Sequence, residues 1–240
     1  MTDIDPEIEL ADTPPIMSFR SLAILLLAVA SGAFAAIAIQ PYLLPGLSAS
    51  LTGPEPKVFW YLSRSSAGIA FILIWFSTVL GLLITNKLAC LWPGGPMAFE
   101  LHQLMSLLGL AFALFHALIL IGDAYFKVQL FDLLVPFATK NYRPLWVGLG
   151  QISFYLTGIV VISFYLRRRI THRVWRSLHY LSFLAFGMVL LHGILSGTDT
   201  STPWIHHIYL FCGVSVLFLS ILRLLTSLFK SNSRRKRLAA

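Results

Sequence analysis

Two stretches decide how this chain folds: ELHQLMSLLGLAFALFH, residues 100–116, and LHYLSFLAFGMVLLH, residues 178–192. Each is an almost unbroken apolar run with a histidine near either end, His102 and His116 in the first, His179 and His192 in the second. With their flanks they reach the roughly 17 to 25 residues that a helix needs to cross a hydrocarbon core. Four further runs of the same kind surround them, so predicted spans fall near 21–43, 60–85, 98–121, 145–166, 177–195 and 205–227. The expectation is an all-α polytopic membrane protein, a six-helix transmembrane bundle over residues 19–228. A disordered acidic tail, 1–18, is expected before it and a basic tail, 229–240, after it.

Composition excludes the main alternatives. Of 240 residues 57% are hydrophobic and 12% charged, against roughly 25% charged in a soluble domain, so one globule of this length cannot hide the apolar surface. The net charge of +8 does not read as a nucleic-acid footprint, because the basic residues cluster at the ends of apolar runs. They read as topology instead. With the N-terminus inside, the inner set holds Arg20, Lys87, Arg167, Arg168, Arg169, Arg173, Arg176, Arg223, Lys230, Arg234, Arg235, Lys236 and Arg237, thirteen residues. The outer set holds Lys57, Arg64, Lys127, Lys140 and Arg143, five residues. That bias places both termini in the cytoplasm of a bacterial-type inner membrane. The acidic start, with Asp3, Asp5, Glu7, Glu9 and Asp12, is opposite in sign to a signal peptide. Pro45-Gly46, Gly53-Pro54 and Pro93-Gly94-Gly95-Pro96 mark loops. Cys90 and Cys212 are expected on opposite sides of the bilayer, which excludes a disulfide between them.

Ionisable residues inside a span are costly and therefore functional candidates. His102 and His116 stand 14 residues apart, His179 and His192 13 apart. At about 1.5 Å per residue these intervals are roughly 20 Å, which fits one histidine in each half of a core about 30 Å thick. The third and fifth spans run in the same direction, so His102 can face His179 near the cytoplasm and His116 can face His192 near the outside. Two imidazoles from facing helices suit the axial ligation of a b-type haem, and the absence of C-x-x-C-H excludes the usual covalent attachment. Helical phase fits the first pair better: 14 residues return within about 40° of the starting face, whereas 13 leave His192 about 140° from His179. The fifth span is therefore expected to bend or rewind, with Gly187 the weak point, or to present its histidines from different faces. The competing account is a set of interhelical hydrogen bonds, or a proton relay in a proton-coupled transporter.

The chain resembles the ferric-reductase-like transmembrane domain family, the haem-bearing core of NADPH oxidases, ferric reductases and the membrane subunit of the periplasmic methionine sulfoxide reductase system. The resemblance runs from about Trp60 to Gly197. It is carried by RSSAGIAFILIWFSTVLGLL from Arg64, by ELHQLMSLLGLAFALFH, and by RVWRSLHYLSFLAFGMVLLHG ending at Gly193. It implies an oxidoreductase-type membrane protein with two non-covalent haem b groups, His102 and His179 on the inner iron and His116 and His192 on the outer. The chain ends in KSNSRRKRLAA with no G-x-G-x-x-G unit. FAD or FMN is therefore expected only on a partner protein, a separate flavoprotein, or else quinol serves as donor. A periplasmic acceptor protein is a further expected partner.

Supporting residues each carry two readings. Arg64, near the outer end of the second span, can hold a propionate of the outer haem or attract an anionic acceptor, or simply snorkel to the headgroups. Arg176, one turn before His179, and Arg173 can neutralise inner propionates or dock an acidic flavoprotein, or reflect topology alone. Phe183 and Phe186 fall between the ligands of the fifth span and are candidates for packing between haems. His206 and His207, near Asp199, read as interfacial residues before they read as a metal site, as does His172. The segment Asp123 to Arg143, with Phe126, Phe131 and Phe137, is expected to lie over the outer haem.

Overall fold

The computed structural model describes residues 13–43, 58–123, 127–140 and 142–238, with side chains left out at Pro41 and from Lys230 onward. It is an all-helical membrane bundle. The helices are α1 (Phe19–Leu43), α2 (Val58–Thr85), α3 (Gly95–Ile119), the short α4 (Leu130–Leu134), α5 (Pro144–Leu166), α6 (His172–Ser196) and α7 (Pro203–Leu238). All except α4 are long and apolar enough to cross a membrane, and they correspond to the six expected spans. The loop prolines and glycines between 44 and 57, with Lys57 and Phe126, lie outside the described residues.

Local chemistry sets the boundaries. Gly94, at φ +106, turns the chain into α3, and Pro96 occupies its first turn, where a missing N–H costs nothing. Thr171 caps α6, its hydroxyl accepting from the Val174 N–H at 3.4 Å. This cap starts α6 five residues before the apolar run, so His172, Arg173 and Arg176 are helical. At the other end α7 continues to Leu238, because SNSRRKRL holds no glycine or proline to stop it. The basic tail expected from residue 229 is thus backbone-continuous with the last span. Residues 13–18 also depart from a free tail. The Ile16 N–H donates to Gln103 Oε1 at 3.0 Å, Tyr165 OH donates to the Met17 carbonyl at 3.1 Å, and the Arg167 guanidinium donates to the Thr13 carbonyl. Gln103 is buried in α3, and the chain folds back to satisfy it.

Helix α2 is central: it packs most extensively on α3 and also touches α6 and α7. Gly109, midway between His102 and His116, permits close approach there, since a Cβ would stand 2.9 Å from Ile74 Cγ1. One core cluster joins α1, α3 and α5 through Leu22, Leu107, Leu110 and Val161. Another joins α2, α6 and α7 through Phe71, Leu82, Phe186, Cys212 and Val216. Helix α6 is held by α5, α2 and α7 and scarcely meets α3. Large apolar side chains such as Leu27, Leu184 and Phe218 are exposed on the bundle surface, as a lipid-facing wall requires. Both cysteines are free: Cys90 is exposed in a 3₁₀ turn after α2, Cys212 buried inside α7.

Candidate functional site

The structure brings the four intramembrane histidines together in two pairs. The His102 and His179 rings have centroids 6.0 Å apart, and the His116 and His192 rings 6.4 Å apart. The two pairs bridge α3 and α6, the helices that barely touch each other, and all four rings are half-buried. Helix α6 is unbroken through Gly187. The helix is therefore not locally rewound at that position.

Each histidine of α3 is held by a serine of α2. His116 Nδ1 lies 2.9 Å from the Ser63 carbonyl, while Ser63 Oγ donates to the His116 carbonyl at 3.1 Å. His102 Nδ1 lies 2.8 Å from the Ser77 carbonyl, and Ser77 Oγ donates to the His102 carbonyl at 3.1 Å. On α6, His192 Nδ1 lies 2.8 Å from the Trp146 carbonyl of α5. A carbonyl can only accept, so Nδ1 carries the proton in all three rings and the Nε2 lone pair is left free. That is the tautomer a metal-ligating imidazole uses, its far N–H anchored to a carbonyl. His179 differs: among the described residues no hydrogen bond holds its ring, which lies against Trp175 at 5.5 Å between centroids.

The spacing has a chemical reading. A metal about 2 Å from each nitrogen, with roughly 1 Å more from nitrogen to ring centre on either side, separates the two centroids by about 6 Å. Both pairs match that separation. Each pair offers two donors, and among the described residues no group of three or more His, Cys, Asp or Glu forms. A bare zinc or copper ion usually takes three or four protein ligands. Two imidazoles suit a metal that brings its own equatorial donors.

Glycines shape the faces of two rings. A Cβ at Gly150 of α5 would stand 2.7 to 2.8 Å from Nδ1, Cε1 and Cγ of His192, so that ring lies flat on bare backbone. A Cβ at Gly81 would come within 3.3 Å of His102 Cε1.

The other candidates are placed as follows. Arg64 forms an ion pair with Asp199, in the connection between α6 and α7, and its guanidinium stacks 4.0 Å over Trp60. It neighbours Ser63, and so stands at the His116 end of the bundle. Arg176 donates from Nε to Tyr180 OH at 3.0 Å. Phe186 is buried against Phe71 in the core shared by α2, α6 and α7, while Phe183 is exposed beside Tyr180. His206 and His207 are exposed neighbours at 6.2 Å, and exposed His172 lies 5.7 Å from Trp175. Phe137 packs over Gly148, two residues from the Trp146 that holds His192. Gln151 donates to the Asp132 and Leu133 carbonyls at 2.6 and 2.9 Å, seating α4 on α5.

Sequence reasoning passed over Ser63, Ser77, Trp146 and Gly150. One signal was there for the serines: 63 and 77 stand 14 apart, the interval between His102 and His116, as antiparallel neighbours must if two serines hold two histidines. Comparison of the chain with protein-family models, with curated proteins and with solved structures finds no match.

Proposed function

We propose that this chain is a transmembrane electron-transfer protein of the ferric-reductase-like kind, with one non-covalent haem b held by His102 and His179 and a second by His116 and His192. The observation that carries the reading is the paired geometry: two imidazole pairs, each with centroids about 6 Å apart, separated along α3 by 14 residues, or roughly 21 Å. When bound, the haems supply reversible one-electron chemistry at two depths of the membrane.

The chain's own residues supply the rest. The carbonyls of Ser63, Ser77 and Trp146 hold Nδ1 of three ligands and leave the Nε2 of each for the metal. Gly150 and Gly81 leave His192 and His102 room to lie flat. Two strong ligands per site leave no open position for substrate at the metal, which favours electron passage over catalysis at the iron.

The direction follows from the charge bias: donor side in the cytoplasm, acceptor side outside, in a bacterial-type inner membrane. The donor is a flavoprotein carrying FAD or FMN, or quinol; the acceptor is a small oxidant or a periplasmic reductase subunit. The deciding measurement is a dithionite-reduced minus oxidised spectrum of purified protein, with haem quantified per chain. Close to two haems, released by acidic solvent, is the expected result. A colourless protein would return the histidines to a proton relay.

A further inference from the structure

Among the described residues, four buried side-chain polar atoms have no hydrogen-bond partner, and one of them, Nε1 of Trp175, belongs to a ring packed directly on a site histidine, His179. An indole N–H can only donate, and a buried donor without an acceptor costs roughly 1 to 3 kcal/mol. Such an atom points to a partner that binds there. Its surroundings give the partner's chemistry. The indole ring lies 5.5 Å from the His179 ring, inclined by only 34°, and so borders the His102–His179 pair. Arg173 and Arg176 flank it on the same turn of α6, while the described residues of α6 near it include no carboxylate. Helix α6 thus offers this indole two neighbouring cations and no carboxylate to accept its N–H.

We propose that Trp175 Nε1 binds an anionic carboxylate on the rim of the group held between His102 and His179, fixing which way round that group enters. This rests on the haem reading, where the carboxylates are the two propionates, and it assigns to Trp175 a role separate from aromatic packing. It makes the two sites unequal. At the other pair both rings are anchored by carbonyls, whereas at this pair His179 has no such anchor, and a bond from its stacked neighbour to the ligand's rim takes that place. An anionic lipid headgroup offers the same chemistry and is the competing source.

The experiment compares Trp175→Phe with the unaltered full chain, each loaded with haem or with haem dimethyl ester, whose carboxylates are blocked. Loss of pigment to apomyoglobin is followed in time. With haem, Trp175→Phe should accelerate one phase, about half the amplitude, by roughly 10-fold or more, as expected for a hydrogen bond to a charged group. The phase from the His116 and His192 pair should be unchanged, which reports intact folding. With the ester, the unaltered chain should already show the fast phase and Trp175→Phe should add nothing. Equal rates with haem in both proteins overturn the proposal. So does an equal acceleration with haem and ester, which assigns Trp175 to packing, or an effect that depends on added phosphatidylglycerol, which assigns the donor to lipid. Protein that takes up neither pigment overturns the haem reading as well.

Discussion

Replacing Gly150 with alanine puts one methyl group against one imidazole, whose atoms are its three nearest neighbours. The added Cβ would stand 2.7 Å from His192 Nδ1 and 2.8 Å from Cε1 and Cγ, against 3.4 Å where ordinary contact begins, so the ring must retreat by about 0.7 Å. It is not free to do so, because its Nδ1–H is held at 2.8 Å by the Trp146 carbonyl on the same helix. Overpacking of this kind costs about 1 to 3 kcal/mol, which at about 1.4 kcal/mol per tenfold weakens metal-group binding roughly 5- to 150-fold. The expected result for Gly150→Ala is a protein that folds and retains the group bound by His102 and His179 but loses most of that bound by His116 and His192. Haem per chain, with the reduced-minus-oxidised spectrum, reads this directly. Gly158→Ala on the same helix is the control: nothing lies within 4 Å of its Cβ position, and alanine there should be neutral or favourable by up to about 1 kcal/mol. Full retention of both haems in Gly150→Ala, or equal loss in Gly158→Ala, would refute the reasoning.

Ligand substitutions should separate by depth: His102→Ala or His179→Ala removes mainly one haem, His116→Ala or His192→Ala mainly the other, as resolved by redox titration. Selective loss of the same haem in His102→Ala and His192→Ala would break the pairing. Ser63→Ala and Ser77→Ala keep the backbone carbonyls that hold Nδ1 of His116 and His102 and remove only the hydroxyl bonds to the histidine carbonyls, so each should weaken only its own haem, by up to about 10-fold, the worth of one hydrogen bond; Ser→Thr, which keeps the hydroxyl, should restore each. Arg64→Gln should lower the midpoint potential of the His116 haem, by removing a fixed positive charge at that end. Because the Arg64–Asp199 pair is partly exposed, its contribution to stability should stay near or below about 1 kcal/mol. Potentials unchanged in Arg64→Gln and in Asp199→Asn would leave that pair as a tether between α2 and the connection after α6.

The six spans were legible because lipid imposes a length and a polarity that the sequence must display, and the meeting of the histidines in two pairs followed from their matched positions on two spans. The ends were less so. Hydropathy placed the fifth span at 177–195, but a helix with a Thr171 cap needs no apolar first turn and begins at His172; for the same reason hydropathy stopped the last span at 227 while α7 runs on. The serines were illegible individually, since a serine in a membrane helix commonly bonds its own preceding turn, as Ser66 does to the Leu62 carbonyl at 2.7 Å. Only their common interval distinguishes Ser63 and Ser77. The Trp146 carbonyl has no sequence signature at all, because every residue has one. Helix α5 was overlooked as a contributor because it carries no histidine and no charged side chain, yet it anchors His192 through backbone and through a missing side chain.

The equal intervals on α2 and α3 have a consequence for how this chain can change. Two antiparallel helices joined at two points behave as paired rulers, and the marks coincide only while both keep the same count. Inserting or deleting one residue between His102 and His116 would turn one of them about 100° away from its serine, and a second insertion in α2 would have to accompany the first. Elsewhere length can drift, as in the connections between spans. Between these four positions it cannot, so the distance separating the two histidine levels is written twice in the chain and can be edited only in both places together.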